Sequence, residues 1–185
     1  MKTAYEHIKE VLSNTVKTRM IAWRREGSVT KLEKPTDIGR ARTLGYKAKK
    51  GIVVVRVKIG RGGRKKSRPK KGRRSKRMTV RKTLKMNYRW VAEGRAAKKY
   101  TNLEVLNSYK VGTDGKHYFF EVILVDPERP EIKKDKNLNW TSKGTHKGRV
   151  SRGLTSAAKK SRGLRNKGPE LKVRPSLRSR HRQGK

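Results

Sequence analysis

Apolar residues recur near the start of the chain at helical spacing: Tyr5, Ile8, Leu12, Val16, Met20 and Trp23 fall three or four positions apart. The opposite side carries Lys9, Lys17, Arg24 and Arg25. This predicts a long amphipathic N-terminal helix that packs by one face and offers phosphate the other, with Gly27 as its stop. Pro35, Thr36 and Asp37 are helix-start residues and Gly45 a helix-stop residue, so a short helix is expected over 38–44. Alternation then takes over. Val53, Val55, Val57 and Ile59 share one face of a strand and Arg56 and Lys58 the other, which predicts a strand half buried and half basic. A helix is expected over 87–99, followed by a hairpin: 103–111, a turn at Gly112, Thr113, Asp114 and Gly115, then 117–125. The second hairpin strand is apolar on both faces, with Phe119 and Ile123 on one and Tyr118, Phe120, Val122 and Leu124 on the other. It should therefore be interior, ending at Asp126-Pro127. Helices mixed with an antiparallel hairpin predict a small α+β domain.

Charge changes this picture. The 185 residues hold 54 Lys and Arg against 14 Asp and Glu, a formal net charge of +40. Such self-repulsion opposes compaction unless a polyanion neutralises it, which points to nucleic acid or an anionic surface. Residues 38–92 contain 22 Lys or Arg and no acid, and residues 141–185 contain 15 with Glu170 as the only acid. The second run has scattered Gly, Ser and Pro and little periodicity, so it reads as a tail that orders only on its partner. The expected division is a folded RNA-binding domain at 1–140, with a basic loop at 60–86, and an extended tail at 141–185. The chain lacks cysteine, which removes disulfides, thiolate catalysis and Cys-based zinc sites. Its longest purely apolar runs, Ile52 to Val55 and Val122 to Val125, are far too short to span a bilayer or form a signal peptide. A soluble intracellular protein is expected.

The densest basic string is GRGGRKKSRPKKGRRSKR at 60–77. Gly60, Gly62 and Gly63 let backbone amides approach phosphate, Arg supplies bidentate forks and Lys supplies mobile point charges. Arg61, Arg64, Lys65, Lys66, Arg68, Lys70, Lys71, Arg73 and Arg74 are candidate RNA contacts on this ground. The spacing of a Walker phosphate loop is missing. Among the aromatics, Trp23 and Trp90 read as core, Tyr46 in LGYKAKKG as a base-stacking candidate, and Trp140 in NLNWTSKG fits either use. His7, His117, His146 and His181 stand apart with no catalytic or metal spacing. Asp126, Glu128, Glu131 and Asp135 read as partners for Arg129, Lys133 and Lys134. No catalytic residue, metal ligand, cofactor or small-molecule substrate is expected; structural Mg2+ would come only with RNA.

Four segments, RARTLGYKAKKGIVVVRVKIGRGGRKK, LEVLNSYKVG, YFFEVILVDP and RGLTSAAKKSRGL, resemble, in this order, the family of ribosomal protein fifteen of the archaeal and eukaryotic large subunit. That family is unrelated in fold to the bacterial protein of the same number. The resemblance spans most of the chain, and the tail looks archaeal. It implies a structural, non-enzymatic component of the large ribosomal subunit in the cytoplasm, with large-subunit rRNA and neighbouring ribosomal proteins as partners and no membrane. It also implies an α+β domain with a long N-terminal helix and extensions that thread between RNA helices. Carried over by position, Arg40, Arg42, Lys47, Lys49, Arg61, Arg64 and Lys65 would face RNA, as would Arg152, Lys159, Lys160 and Arg162, with Arg165 beside them. Gly94 and Lys110 depart from the family, which commonly has an acidic helix former and an aromatic there. The alternative from another class is a DNA-compacting chromatin-type protein, because phosphate-driven binding does not distinguish duplex DNA from RNA. A basic nuclease would need an acid-base or metal constellation, and none is found.

Overall fold

The computed structural model describes residues 3–63, 71–73 and 84–165, without the side chains of Lys9, Ser13 and Asn14. Among the described residues, five helices and four strands run in the order α1 (Ala4–Arg25), β1 (Val29–Leu32), α2 (Ile38–Thr43), β2 (Ile52–Gly60), α3 (Tyr88–Lys99), β3 (Glu104–Thr113), β4 (His117–Val125), α4 (Pro130–Lys133) and α5 (Ser156–Ser161). Two 3-10 turns, Asn139–Ser142 and Gly144–His146, lie between the last two helices. The strands form one antiparallel sheet in the order β1-β2-β4-β3.

β4 is interior because it is apolar on both sides, and each side has its own cover. Phe120, Val122 and Leu124 join Val55, Val57 and Ile59 of β2 in the main core, under Ala92 and Ala96 of α3 and Val150. On the reverse face Ile123 packs with Ala41 of α2 and Tyr109, and Val125 packs with Ile132 and Leu138. Asn87 starts α3 by accepting from the Trp90 N–H at 2.8 Å, and Asp37 starts α2 by accepting from the Arg40 N–H at 2.8 Å. α3 runs unbroken through Gly94.

α1 reaches the domain through residues of its predicted stripe. Trp23 is buried with its ring edge-on to Phe119 at 5.4 Å. Val16 and Met20 lie over Gly112 of β3, where a Cβ would come within 2.9 Å of the Met20 sulfur, so only glycine permits this approach. Tyr5 lies as closely over Gly39 of α2. Ile8 of the same stripe stays exposed, as do Val11 and Ile21.

Two elements differ from the sequence reading. The outer face of β2 is not an open basic surface: Arg56 is only 7% exposed, lies 4.2 Å from the centroid of the Trp23 ring and pairs with Glu26 at 2.5 Å. Lys58 donates to the carbonyls of Arg24 at 2.7 Å and Glu26 at 2.8 Å. Lys58 thus caps the negative end of α1, while Arg56 is held beside it by the Glu26 carboxylate, and both cations are engaged within the fold. The second difference is the expected tail, whose first part is folded. Thr141, Arg149, Val150, Thr155, Ala157 and Ala158 are all buried, and Val150 belongs to the main core. The segment escapes periodicity analysis because it fills gaps with single residues held by long-range hydrogen bonds. Residues 166–185 lie outside the described residues.

Two buried acids tie the layers together. Glu93 of α3 accepts from Ser108 Oγ and Thr155 Oγ, each at 2.5 Å. Glu121 of β4 accepts from the Thr36 N–H at 3.0 Å and from the Tyr109 hydroxyl. Burial pushes both carboxyls up, against the pull of those hydrogen bonds and of nearby arginines. Burial and the Glu121 charge likewise push the Tyr109 phenol up, leaving it a donor at all ordinary pH.

Candidate nucleic-acid interface

Among the described residues, the cationic side chains expected to meet RNA fall into three places on this scaffold. The first is α2 with the loop between it and β2. Arg40 is exposed, and Arg42, also exposed, donates to the Tyr5 hydroxyl at 3.3 Å. Lys47 and Lys49 converge on Asp135 at 2.8 and 2.5 Å, and Lys49 also donates to the Glu131 carbonyl at 3.0 Å. The two ammonium groups and the Asn137 N–H hold the Asp135 carboxyl well below the usual range. This pair therefore clamps α4 to the loop, which narrows its role as a phosphate ligand. Tyr46 is half-buried against the cluster of Ala41, Tyr109 and Ile123. Its ring is used in packing and is not a free stacking platform.

The second place is the end of β2 beside the hairpin. Arg61 donates to the Asp114 carbonyl at 2.7 Å, with its guanidinium 5.2 Å from the centroid of the Tyr118 ring. Lys110, where an aromatic was expected, lies 5.3 Å from the same ring. The Asp114 carboxylate accepts from the N–H groups of Lys116 at 2.7 Å and His117 at 2.5 Å and from Arg24 at 2.7 Å. Burial alone would raise its pKa; these donors outweigh burial and hold it at about 2. Lys71 and Arg73 are exposed. Arg64, Lys65, Lys66, Arg68, Lys70 and Arg74 lie outside the described residues.

The third place is the folded segment after α4. Lys159 and Lys160 extend from α5 into solvent. Arg152 donates to the carbonyls of Thr145 and Lys147, Arg162 to that of Gly153 at 2.8 Å, and Arg165 to Ser156 Oγ at 3.1 Å. Arg152 and Arg165 remain exposed while doing so.

Two basic clefts were missed by the sequence reading. One, of about 640 Å3, lies between β1 and the end of α3, where Arg95, Lys98 and Lys99 meet Gly27, Ser28 and Val29. The signal was present: those three cations are spaced for one helix face. The other, of about 400 Å3, lies beside Trp140, Arg149 and Lys159. One of its cations, Arg149, is buried and donates to the carbonyls of Val105 and Leu106, partners 44 and 43 residues away that no local pattern reveals.

No group of three or more His, Cys, Asp or Glu among the described residues is placed to hold a metal ion. None of their helices is long and apolar enough to cross a membrane. His146 is pushed down by burial and by Arg149, Arg152 and Lys143, so it is neutral at physiological pH.

Comparison with known proteins bears on this surface. The sequence model of the family described as Ribosomal L15 matches residues 1–180. A protein of Methanocella arvoryzae, "Large ribosomal subunit protein eL15", is 50% identical over 195 aligned positions that cover 100% of both chains. Its namesake in Methanospirillum hungatei JF-1 is 58% identical over 163 positions, covering 87% of this chain and 83% of the relative.

Proposed function

The chain belongs to the Ribosomal L15 family, and from that premise we propose how its cationic surfaces serve a large ribosomal subunit. The protein is a structural constituent of the large subunit of the cytoplasmic ribosome and not an enzyme, with rRNA and other ribosomal proteins as its partners. Its formal charge of +40 is what a chain buried among phosphates can sustain and a free monomer sustains poorly.

The assignment of particular residues is our own reading. Arg40, Arg42, Lys71, Arg73, Lys159 and Lys160, exposed in the fold, are the described residues best placed to neutralise phosphates. Arg61, Arg152, Arg162 and Arg165 present cations while bonded to their own chain, which fixes their geometry before RNA arrives. The Arg95, Lys98 and Lys99 cleft joins this set. Arg64, Lys65, Lys66, Arg68, Lys70 and Arg74 join it on composition alone, and Mg2+ enters only as part of the RNA. The reading divides the chain into a folded body through residue 165 and a basic stretch, 166–185, for which RNA is the chemically matched partner.

The observation that carries this reading is the family match over nearly the whole chain, which favours RNA over the DNA-compacting alternative. Binding to large-subunit rRNA fragments and to duplex DNA of equal length, compared at matched salt, tests it. Tighter binding to the RNA is expected, as is retention of the native protein on large subunits through a high-salt wash. Equal affinity for both polymers with loss in the wash would overturn it.

A further inference from the structure

The smaller cleft has a chemistry that phosphate binding does not use. Three of its walls are apolar, from Leu44, Leu106 and Leu154. Beside them stands half-buried Trp140, and that ring is immobilised from several sides. Its Nε1 donates to the Asn137 carbonyl at 3.0 Å, and His146 meets it edge-on at 4.8 Å. The guanidinium of Arg149 lies 4.8 Å from its centroid, itself pinned by the Val105 and Leu106 carbonyls. The remaining lining holds Ser156, whose hydroxyl oxygen accepts from Arg165 at 3.1 Å, and Asn107, whose Oδ1 already accepts from Arg89 at 2.6 Å and from the Ser108 N–H at 3.0 Å. Only its amide N–H groups are left for a ligand, so Asn107 offers donors to an acceptor edge. Lys159 and Arg165, both exposed, stand at the mouth.

Apolar walls, an immobilised indole, the amide donors of Asn107 and a cationic mouth fit a flat heteroaromatic ring with a phosphate outside. In duplex RNA the bases are paired and stacked, so only a base splayed from a bulge or loop can enter such a cleft. The other candidate aromatics do not offer this: Tyr46 packs within its cluster, Trp23 is buried, and Trp90 packs against the main core. We propose that the cleft beside Trp140 takes up a single unpaired RNA base between Trp140 and the leucine walls, with Asn107 donating to its edge and Lys159 and Arg165 meeting its flanking phosphates. This rests on the RNA-binding reading above and names the RNA element that the cleft would select.

The test uses the full chain and two RNA hairpins of identical stem, one with a single bulged 4-thiouridine and one without, at matched salt. The bulged hairpin is expected to bind about 5- to 150-fold tighter, the range that stacking of one base supplies. Irradiation should crosslink the thiouridine to the peptide carrying Trp140 or Leu154. Leu154→Trp, which fills the cleft, and Trp140→Ala should each remove the bulge preference while leaving affinity for the plain hairpin within about twofold. If Trp140→Ala fails to fold, Leu154→Trp and the crosslink still decide the matter. Equal affinity of wild type for the two hairpins, or a crosslink only outside the cleft, overturns the proposal and leaves phosphate binding standing. Failure to bind either hairpin overturns both readings.

Discussion

Glu93 has no exposed surface, and burial pushes its carboxyl up from the usual range, against hydrogen bonds from Ser108 and Thr155 and the charges of Arg89 and Arg149. The native state therefore holds this proton to higher pH than the unfolded chain does. Its contribution to stability is fully present below the ordinary glutamate pKa of about 4.3 and is lost as pH rises through the elevated native value. Glu93→Gln keeps the shape without the titration. Urea unfolding of wild type and variant from about pH 4 to pH 8 should show the stability difference moving in favour of the variant as pH rises. A difference that stays constant over that range would mean that Glu93 does not titrate there. None of this was legible in the sequence. VAEGRAA looks like an ordinary helix segment, and Glu93 is buried only because Ser108 and Thr155 arrive from 15 and 62 residues away. The burial of Arg56 is illegible for the same reason: alternation places it correctly on the face opposite Val55 and Val57, but says nothing of Glu26 and Trp23 closing over it.

At the scale of elements, the long runs with one clear period were legible, as was short α2 through its start and stop residues, and the other short elements were not. The hairpin, the helix before it and the interior position of β4 follow from two-faced apolarity, which no edge strand could bury. Phe120 is 6% exposed within the main core. Phe120→Ala should therefore cost about 3–5 kcal/mol, a large share of the total stability of a domain, and a denaturant midpoint like that of wild type would refute its core role. By contrast β1, with four residues, and α4 and α5, with four and six, are too short for periodicity to register. Residues 141–165 were read as tail because Val150, Ala157 and Ala158 are isolated apolar positions in a basic background. Packing of Arg149 under the sheet yields a protease prediction. In the RNA-free protein trypsin should cut after buried Arg149 at about a tenth or less of its rate after exposed Arg165, because the first cut requires local unfolding. Comparable rates would restore the reading of this segment as a free tail.

For the whole molecule, charge was the most legible property, and the structure refines how much of it reaches solvent. The two acid-poor runs hold 22 and 15 Lys or Arg. Arg56, Lys58, Lys47 and Lys49 are engaged by acids or carbonyls of their own chain, so not every cation in those runs can be counted against a phosphate. If about a third of the two runs meets phosphate, about 12 contacts release their counterions on binding, which gives a log-log salt slope of about −8 to −11. Because each contact contributes about −0.7 to −0.9 to that slope, cations can be assigned by subtraction. Arg64→Ala combined with Lys65→Ala, in the glycine-broken basic string, should flatten the slope by about 1.4 to 1.8 and leave the melting temperature unchanged. Lys47→Ala combined with Lys49→Ala should do the reverse. Asp135 would lose both ammonium partners, so the clamp on α4 would loosen and the melting temperature fall while the slope moved little. Titration of an rRNA fragment between about 0.1 and 0.4 M salt, with thermal melts of the same variants, separates the two outcomes. A wild-type slope shallower than about −4, or equal flattening by both double variants, would mean that the division between cations that hold the fold and cations that hold RNA is wrong.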